Sequence, residues 1–156
     1  MKEREIISLL ARLTPGSSPE LLAGIGDDCA VISKNGQRSW LVTMDTLVEG
    51  VHFDRAWHAA GLIGRKSVSV NISDIAAMGG TPAFVFLSLA LPAGFDPRWL
   101  EDFSQGLASA CREFGCLLAG GDTVRSAAGI VITLAVLGEA ESERVVLRSG
   151  ARNGDT

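Results

Sequence analysis

Nine consecutive residues, Ala83 to Leu91 (AFVFLSLAL), carry one polar side chain, Ser88. A run that short and that apolar reads as a β-strand, and one without polar alternation belongs inside a sheet, buried on both faces. It is no membrane span: the wider stretch from Pro82 to Phe95 contains two prolines and is too short for a bilayer. Partner strands and covering layers must come from the rest of the chain. One helix layer covers one face of such a sheet. The strands Ala83 to Leu91 and Ile130 to Leu137 therefore ask for further cover, and a second copy of the chain is expected to provide it.

The flanking patterns supply the partners. Ile6, Leu9, Leu10 and Leu13 recur at helical spacing within Lys2 to Leu13, which predicts an amphipathic helix stopped by the turn-forming TPGSSP that follows. Gly24-Ile25-Gly26-Asp27-Asp28 reads as a loop feeding a strand at Ala30 to Ile32. Asn35-Gly36 signals a hairpin, with Trp40 to Asp45 returning. Ala59 to Met78 reads as a long helix ended by Gly79-Gly80 and Pro82. Its apolar stripe is Val68, Ile72 and Ile75, while Ser67, Asn71 and Asp74 share a second, polar face. Asp96-Pro97 has the form of an N-cap with proline at the first helical position. The helix behind it buries Leu100, Phe103, Leu107, Cys111 and Phe114 up to Gly115. Cys116 to Ala119, Ile130 to Leu137 and Val145 to Leu147 read as further strands. The order α-β-β-α-β-α-β-β predicts an α+β fold, a mixed four- to five-stranded sheet packed by helices.

Composition excludes several classes. Hydrophobic residues make up 47% of the 156, enough for a packed core, and the net charge of −4 argues against nucleic-acid binding, which needs a basic face. Cys29, Cys111 and Cys116 form no C-x-x-C pair and read as small, reduced, buried residues of a cytoplasmic protein. The N-terminal segment carries charges of both signs and does not read as a signal peptide. Nothing points to a membrane. Residues 150–156 (GARNGDT) suit a connection to another domain and a frayed end equally well.

Several element ends carry an aspartate beside small residues: Asp27 and Asp28 after Gly26, Asp45 after the second strand, Asp74 on the polar helix face, and Asp122 after Gly120-Gly121. Ligands of open sheets bind at such ends. Converging carboxylates repel one another, and a hard divalent cation such as magnesium offsets that repulsion. Taken singly, each aspartate is better read as a cap or an Asx turn. The chain has neither a P-loop nor the protein-kinase signature.

Five segments together resemble the thiamine-monophosphate kinases. These are Gly24 to Val31 (GIGDDCAV), Thr43 to Phe53 (TMDTLVEGVHF), Val70 to Gly79 (VNISDIAAMG), Gly120 to Thr123 (GGDT) and Leu147 to Ala151 (LRSGA). They stand in family order and cover nearly the whole chain. The family belongs to the aminoimidazole ribonucleotide synthase-like superfamily. The resemblance implies an N-terminal domain for ATP and magnesium binding over residues 1–149, pairing with its copy through a shared β-barrel, and residues 150–156 starting a linker to a C-terminal domain. The implied reaction moves the γ-phosphoryl group of ATP onto thiamine monophosphate, giving thiamine diphosphate. It also implies magnesium contacts, with several ions, at Asp28, Thr43, Met44, Asp45, Asp74 and Asp122. His52 would contact the substrate, and Gly121, Asp122 and Arg148 the nucleotide. Met44 departs from the threonine usual at its position; a thioether suits magnesium poorly, so only its backbone carbonyl could serve. No catalytic side chain beyond the metal ligands is expected. The competing readings are another ATP-using member of the superfamily and a non-catalytic, dimeric magnesium- and nucleotide-binding module.

Overall fold

The structure, a computed structural model, describes residues 2–154. Met1, Asp155 and Thr156, the last two belonging to the expected linker, lie outside the described residues. The elements are α1 (Glu3–Leu13), β1 (Leu21–Ala23), β2 (Ala30–Ser33), β3 (Arg38–Val48), α2 (Ala60–Ala77), β4 (Thr81–Pro92), α3 (Pro97–Phe114), β5 (Leu117–Ser126) and β6 (Val131–Glu141), closed by a 3-10 turn at Ser142–Arg144. The strands form one six-stranded sheet in the order β1-β2-β3-β6-β4-β5. Only β4 and β5 run parallel, joined by the α3 crossover. The other neighbours are antiparallel.

Local chemistry accounts for the helix ends. Asp96 accepts the Arg98 N–H through Oδ1 at 2.9 Å, Pro97 opens α3, and Gly115 closes it in the left-handed conformation. Helices α2 and α3 cover one face of the sheet. Val68, Ile75, Phe103 and Leu107 pack there against Leu41, Val85, Leu89, Ile132, Leu134 and Val136. The two helices touch backbone to backbone. A Cβ on Gly106 would sit 1.9 Å from the Gly61 carbonyl oxygen, and one on Gly64 2.1 Å from that of Phe103.

Among the described residues nothing covers the other face of the sheet, which corrects the expectation for Ala83 to Leu91. Val85 and Leu89 are buried beneath the helices, whereas Phe84 and Phe86 are 38% and 43% exposed. Strand β4 is thus a central strand covered on one side. Met44 and Val124 also stand exposed in strands of this sheet. Helix α1 buries none of its residues and leaves Ile6, Leu10 and Leu13 in the open.

Three other expectations change. The sheet has six strands: β1, three residues long, is too short to leave an alternation signal. Strand β5 does not stop at Ala119 but runs through Gly120-Gly121-Asp122-Thr123 to Ser126. Val145 to Leu147 form no strand; the Val146 N–H donates to the Met78 carbonyl at 3.2 Å, tying this segment to the end of α2. Among the described residues no helix is long and apolar enough to cross a membrane.

Candidate metal centre

The polar face of α2 lies against β3. Strand β2 pairs with β3 only as far as Ala30 opposite Val42, so beyond that point β3 keeps β6 as its ladder partner. There the odd-numbered residues of β3 turn towards α2. Thr43, buried, donates its hydroxyl to Asp74 Oδ2 at 2.7 Å. Two residues on, the Asp45 N–H donates to Asn71 Oδ1 at 3.1 Å. Asn71 is wholly buried, and its Nδ2 donates to the Ser67 carbonyl at 3.1 Å.

The Gly24 to Cys29 loop closes on the same group. The Cys29 N–H donates to the Met78 sulfur at 3.0 Å, which seats the loop over the end of α2. Burial first, then the charges of Asp74, Asp28 and Asp27, push the Cys29 thiol up to about 12. The guanidinium of Arg148 is ion-paired with Asp28 through Nη2 and donates Nε to the same oxygen at 3.1 Å. The Arg148 N–H is shared by both carboxylate oxygens of Asp27 at 3.2 Å. Asp27 therefore holds the backbone of the 148 segment.

Two carboxylates come near each other here, and the charge of Asp74 opposes that of Asp45. Burial raises the Asp45 carboxyl above its ordinary value, the neighbouring charge of Asp74 raises it further, and His52 pulls it partly back. The donors are carboxylates and a hydroxyl, the hard oxygens that magnesium prefers. Among the described residues no three His, Cys, Asp or Glu side chains stand close enough to hold one ion as arranged. The chain thus offers neighbouring carboxylates rather than a closed cage. That suits magnesium, which keeps several waters and commonly takes one or two carboxylates plus substrate phosphates.

The remaining expected residues fall into two groups. His52 stands near Asp45, its Nδ1 accepting the Val48 N–H at 3.0 Å, so that Nε2 bears the proton; Lys66 donates to its carbonyl at 2.6 Å. Met44 is 67% exposed and its side chain points to the bare face, away from Asp45 and Asp74, so its sulfur is no ligand there. Asp122 is also apart. It pairs with Ser88, Ser88 with Thr133, and Thr133 with Thr46, which places Asp122 on the bare face, three strands from β3 and about 14 Å from Thr46 at ordinary strand spacing. Within one chain Asp74 lies near Asp45 and shares the surroundings of Cys29 and Arg148 with Asp28, whereas Asp122 stands apart. Gly121 precedes it in β5, so close to β4 that a Cβ would lie 1.8 Å from the Leu87 carbonyl oxygen. Trp57 is 74% exposed with its ring tilted against His58, whereas Trp99 stacks on Phe103 at the core. The bracing bonds of Asn71 and Met78 escape sequence reasoning; Asn71, one turn before Asp74, carried the only readable signal.

Residues 26–140 match the model for AIR synthase related protein, N-terminal domain. The chain belongs to that family. It is 38% identical over 156 residues to the thiamine-monophosphate kinase of Bacillus subtilis strain 168, covering 99% of this chain and 47% of the relative. It is 39% identical over 151 residues to that of Escherichia coli strain K12, covering 95% and 45%. A solved structure of AaThiL complexed with AMPPCP and TMP superposes with a TM-score of 0.84 at 34% identity, over 97% of this chain and 47% of that one. The chain thus spans about half the length of the curated relatives it matches.

Proposed function

We propose that the chain is the magnesium- and nucleotide-holding part of a thiamine-monophosphate kinase, which moves the γ-phosphoryl group of ATP onto thiamine monophosphate and yields thiamine diphosphate. The observation that carries this reading is the meeting of Asp45, Asp74 and Thr43 beside Asp28, in a chain whose relatives bear that name over nearly its whole length. Both reacting groups are anionic phosphates, so alignment and charge neutralisation make up most of the barrier. Magnesium, when bound, supplies the positive charge that screens the phosphate oxygens. Asp28, Asp45 and Asp74 hold its position, and Thr43 fixes the Asp74 carboxylate through its hydroxyl. Met44 contributes only through its backbone carbonyl. His52 offers Nε2–H to the acceptor substrate. Arg148, paired with Asp28, is at hand for the ATP phosphates once that pair opens.

The bare sheet face supports a homodimer in which a second copy covers Phe84, Phe86 and Met44. On this reading Asp122 and Gly121 face the partner, and Asp122 joins a metal and nucleotide site only across that interface. Residues 1–149 form the dimerising domain, followed by a linker, and the buried free thiols suit the cytoplasm. A second reading is favoured by the chain's share of its relatives: alone, it is a magnesium- and nucleotide-binding module with little turnover. Calorimetric titration with magnesium and AMPPCP should give saturable binding that Asp45→Asn weakens at least tenfold. Unchanged binding in that variant would remove the basis of the proposal. Robust thiamine diphosphate formation by the isolated chain would refute the module reading.

A further inference from the structure

Asn71 has no assigned part in the chemistry, yet it is the most constrained polar side chain near the carboxylates. It is wholly buried, and both ends of its amide are used. Nδ2 donates to the Ser67 carbonyl one turn back, and Oδ1 accepts the N–H of Asp45 on the neighbouring strand. The two partners fix which end is oxygen, because a carbonyl can only accept and an N–H can only donate. One turn further along α2, Asp74 accepts the hydroxyl of Thr43. Helix and strand are therefore joined at two successive inward-facing residues of β3, 43 and 45, by two successive polar residues of one helix face. The join holds Asp45 beside Asp74 although their charges repel.

We propose that Asn71 is a positioning residue: by holding the backbone of Asp45 to α2 it sets the separation between the Asp45 and Asp74 carboxylates, and with it the size of cation they accept. The inference rests on the reading of these carboxylates as a magnesium site. Asn71 itself touches neither the cation nor the phosphates. Only an uncharged acceptor of this length fits the role. An aspartate would set a third negative charge beside two others and face the Ser67 carbonyl without a donor; a leucine fills the space but leaves the Asp45 N–H without this partner.

The test uses manganese as a spectroscopic stand-in for magnesium, read by electron paramagnetic resonance on the unmodified chain and on Asn71→Leu, with magnesium and calcium as competitors. Unmodified chain that fails to bind manganese sinks the metal-site reading and this inference with it. Given binding, Asn71→Leu should lose about 10- to 100-fold in manganese affinity, the usual effect of releasing a residue that orients a ligand. The preference for magnesium over calcium should shrink as well, which general loosening of the fold does not produce. Equal affinity and unchanged preference in the two proteins overturn the assignment of Asn71 alone. Should Asn71→Leu not fold, amide exchange in the unmodified chain decides: the Asp45 N–H should be protected as strongly as its neighbours in β3, and fast exchange there overturns the proposal.

Discussion

Asp45 makes the sharpest prediction at the scale of single residues. Its unfolded carboxyl titrates near 3.8, and burial with the Asp74 charge holds the folded value above that. The folded chain then binds this proton more tightly than the unfolded one. The contribution to stability is complete below 3.8 and is lost as pH rises through the folded value. Asp45→Asn carries no such loss. In chelator-treated buffer at neutral pH the variant should melt above the unmodified chain, and the gap should close below the unfolded value; melting followed by circular dichroism across that range checks the sign. Magnesium should raise the melting temperature of the unmodified chain and leave the variant's almost unmoved. Much of this site was legible beforehand. Asp28 was readable because it follows a glycine-containing turn, Asp45 because it ends an apolar strand pattern, and Asp74 because it shares a helix face with polar neighbours. The Asp28–Arg148 pair was not, since it joins residues 120 apart in sequence and no local pattern links the two. Nor was the separation of Asp122, which depends on strand order.

Elements were legible where a long period or a cap marked them. The α3 boundaries followed from Asp96-Pro97 and Gly115, and α2 from its two stripes. Strand β1 and the extension of β5 through Gly120-Gly121 were not, because three residues carry no period and paired glycines read as a turn until a neighbouring strand fixes them. The backbone contact between α2 and α3 was equally hidden, for Gly61, Gly64 and Gly106 look like weak helix formers until the helices are packed. It is a demanding joint. Gly106→Ala would drive a methyl group into the Gly61 carbonyl and should cost about 3 kcal/mol, lowering the melting temperature by roughly 10 °C. Ser109→Ala, on the exposed side of the same helix, should change it by little, so calorimetry on the pair separates the crowded site from helix propensity.

For the whole molecule, the decisive feature is a sheet covered on one side only. The apolarity of Ala83 to Leu91 foretold a buried strand; what it could not foretell is that the chain's own helices leave one of its two faces uncovered, because burial by a partner and burial by one's own helices leave the same mark on a sequence. If a second copy supplies the cover, light scattering should give twice the chain mass, and Phe86→Lys should halve it while far-ultraviolet circular dichroism stays the same. A monomer in the unmodified protein would remove the homodimer from the proposal. Strand β5 closes the order of the sheet, so its outer side carries a row of backbone donors and acceptors with no neighbouring strand among the described residues. Its ten residues include just two charges, Asp122 and Arg125. Charged side chains on such an edge oppose the stacking of like chains rim to rim into fibres. Neutralising both, as Asp122→Asn with Arg125→Gln, should bring thioflavin-positive aggregates at concentrations where the parent stays clear, so that the same carboxylate would be guarding solubility as well as serving chemistry.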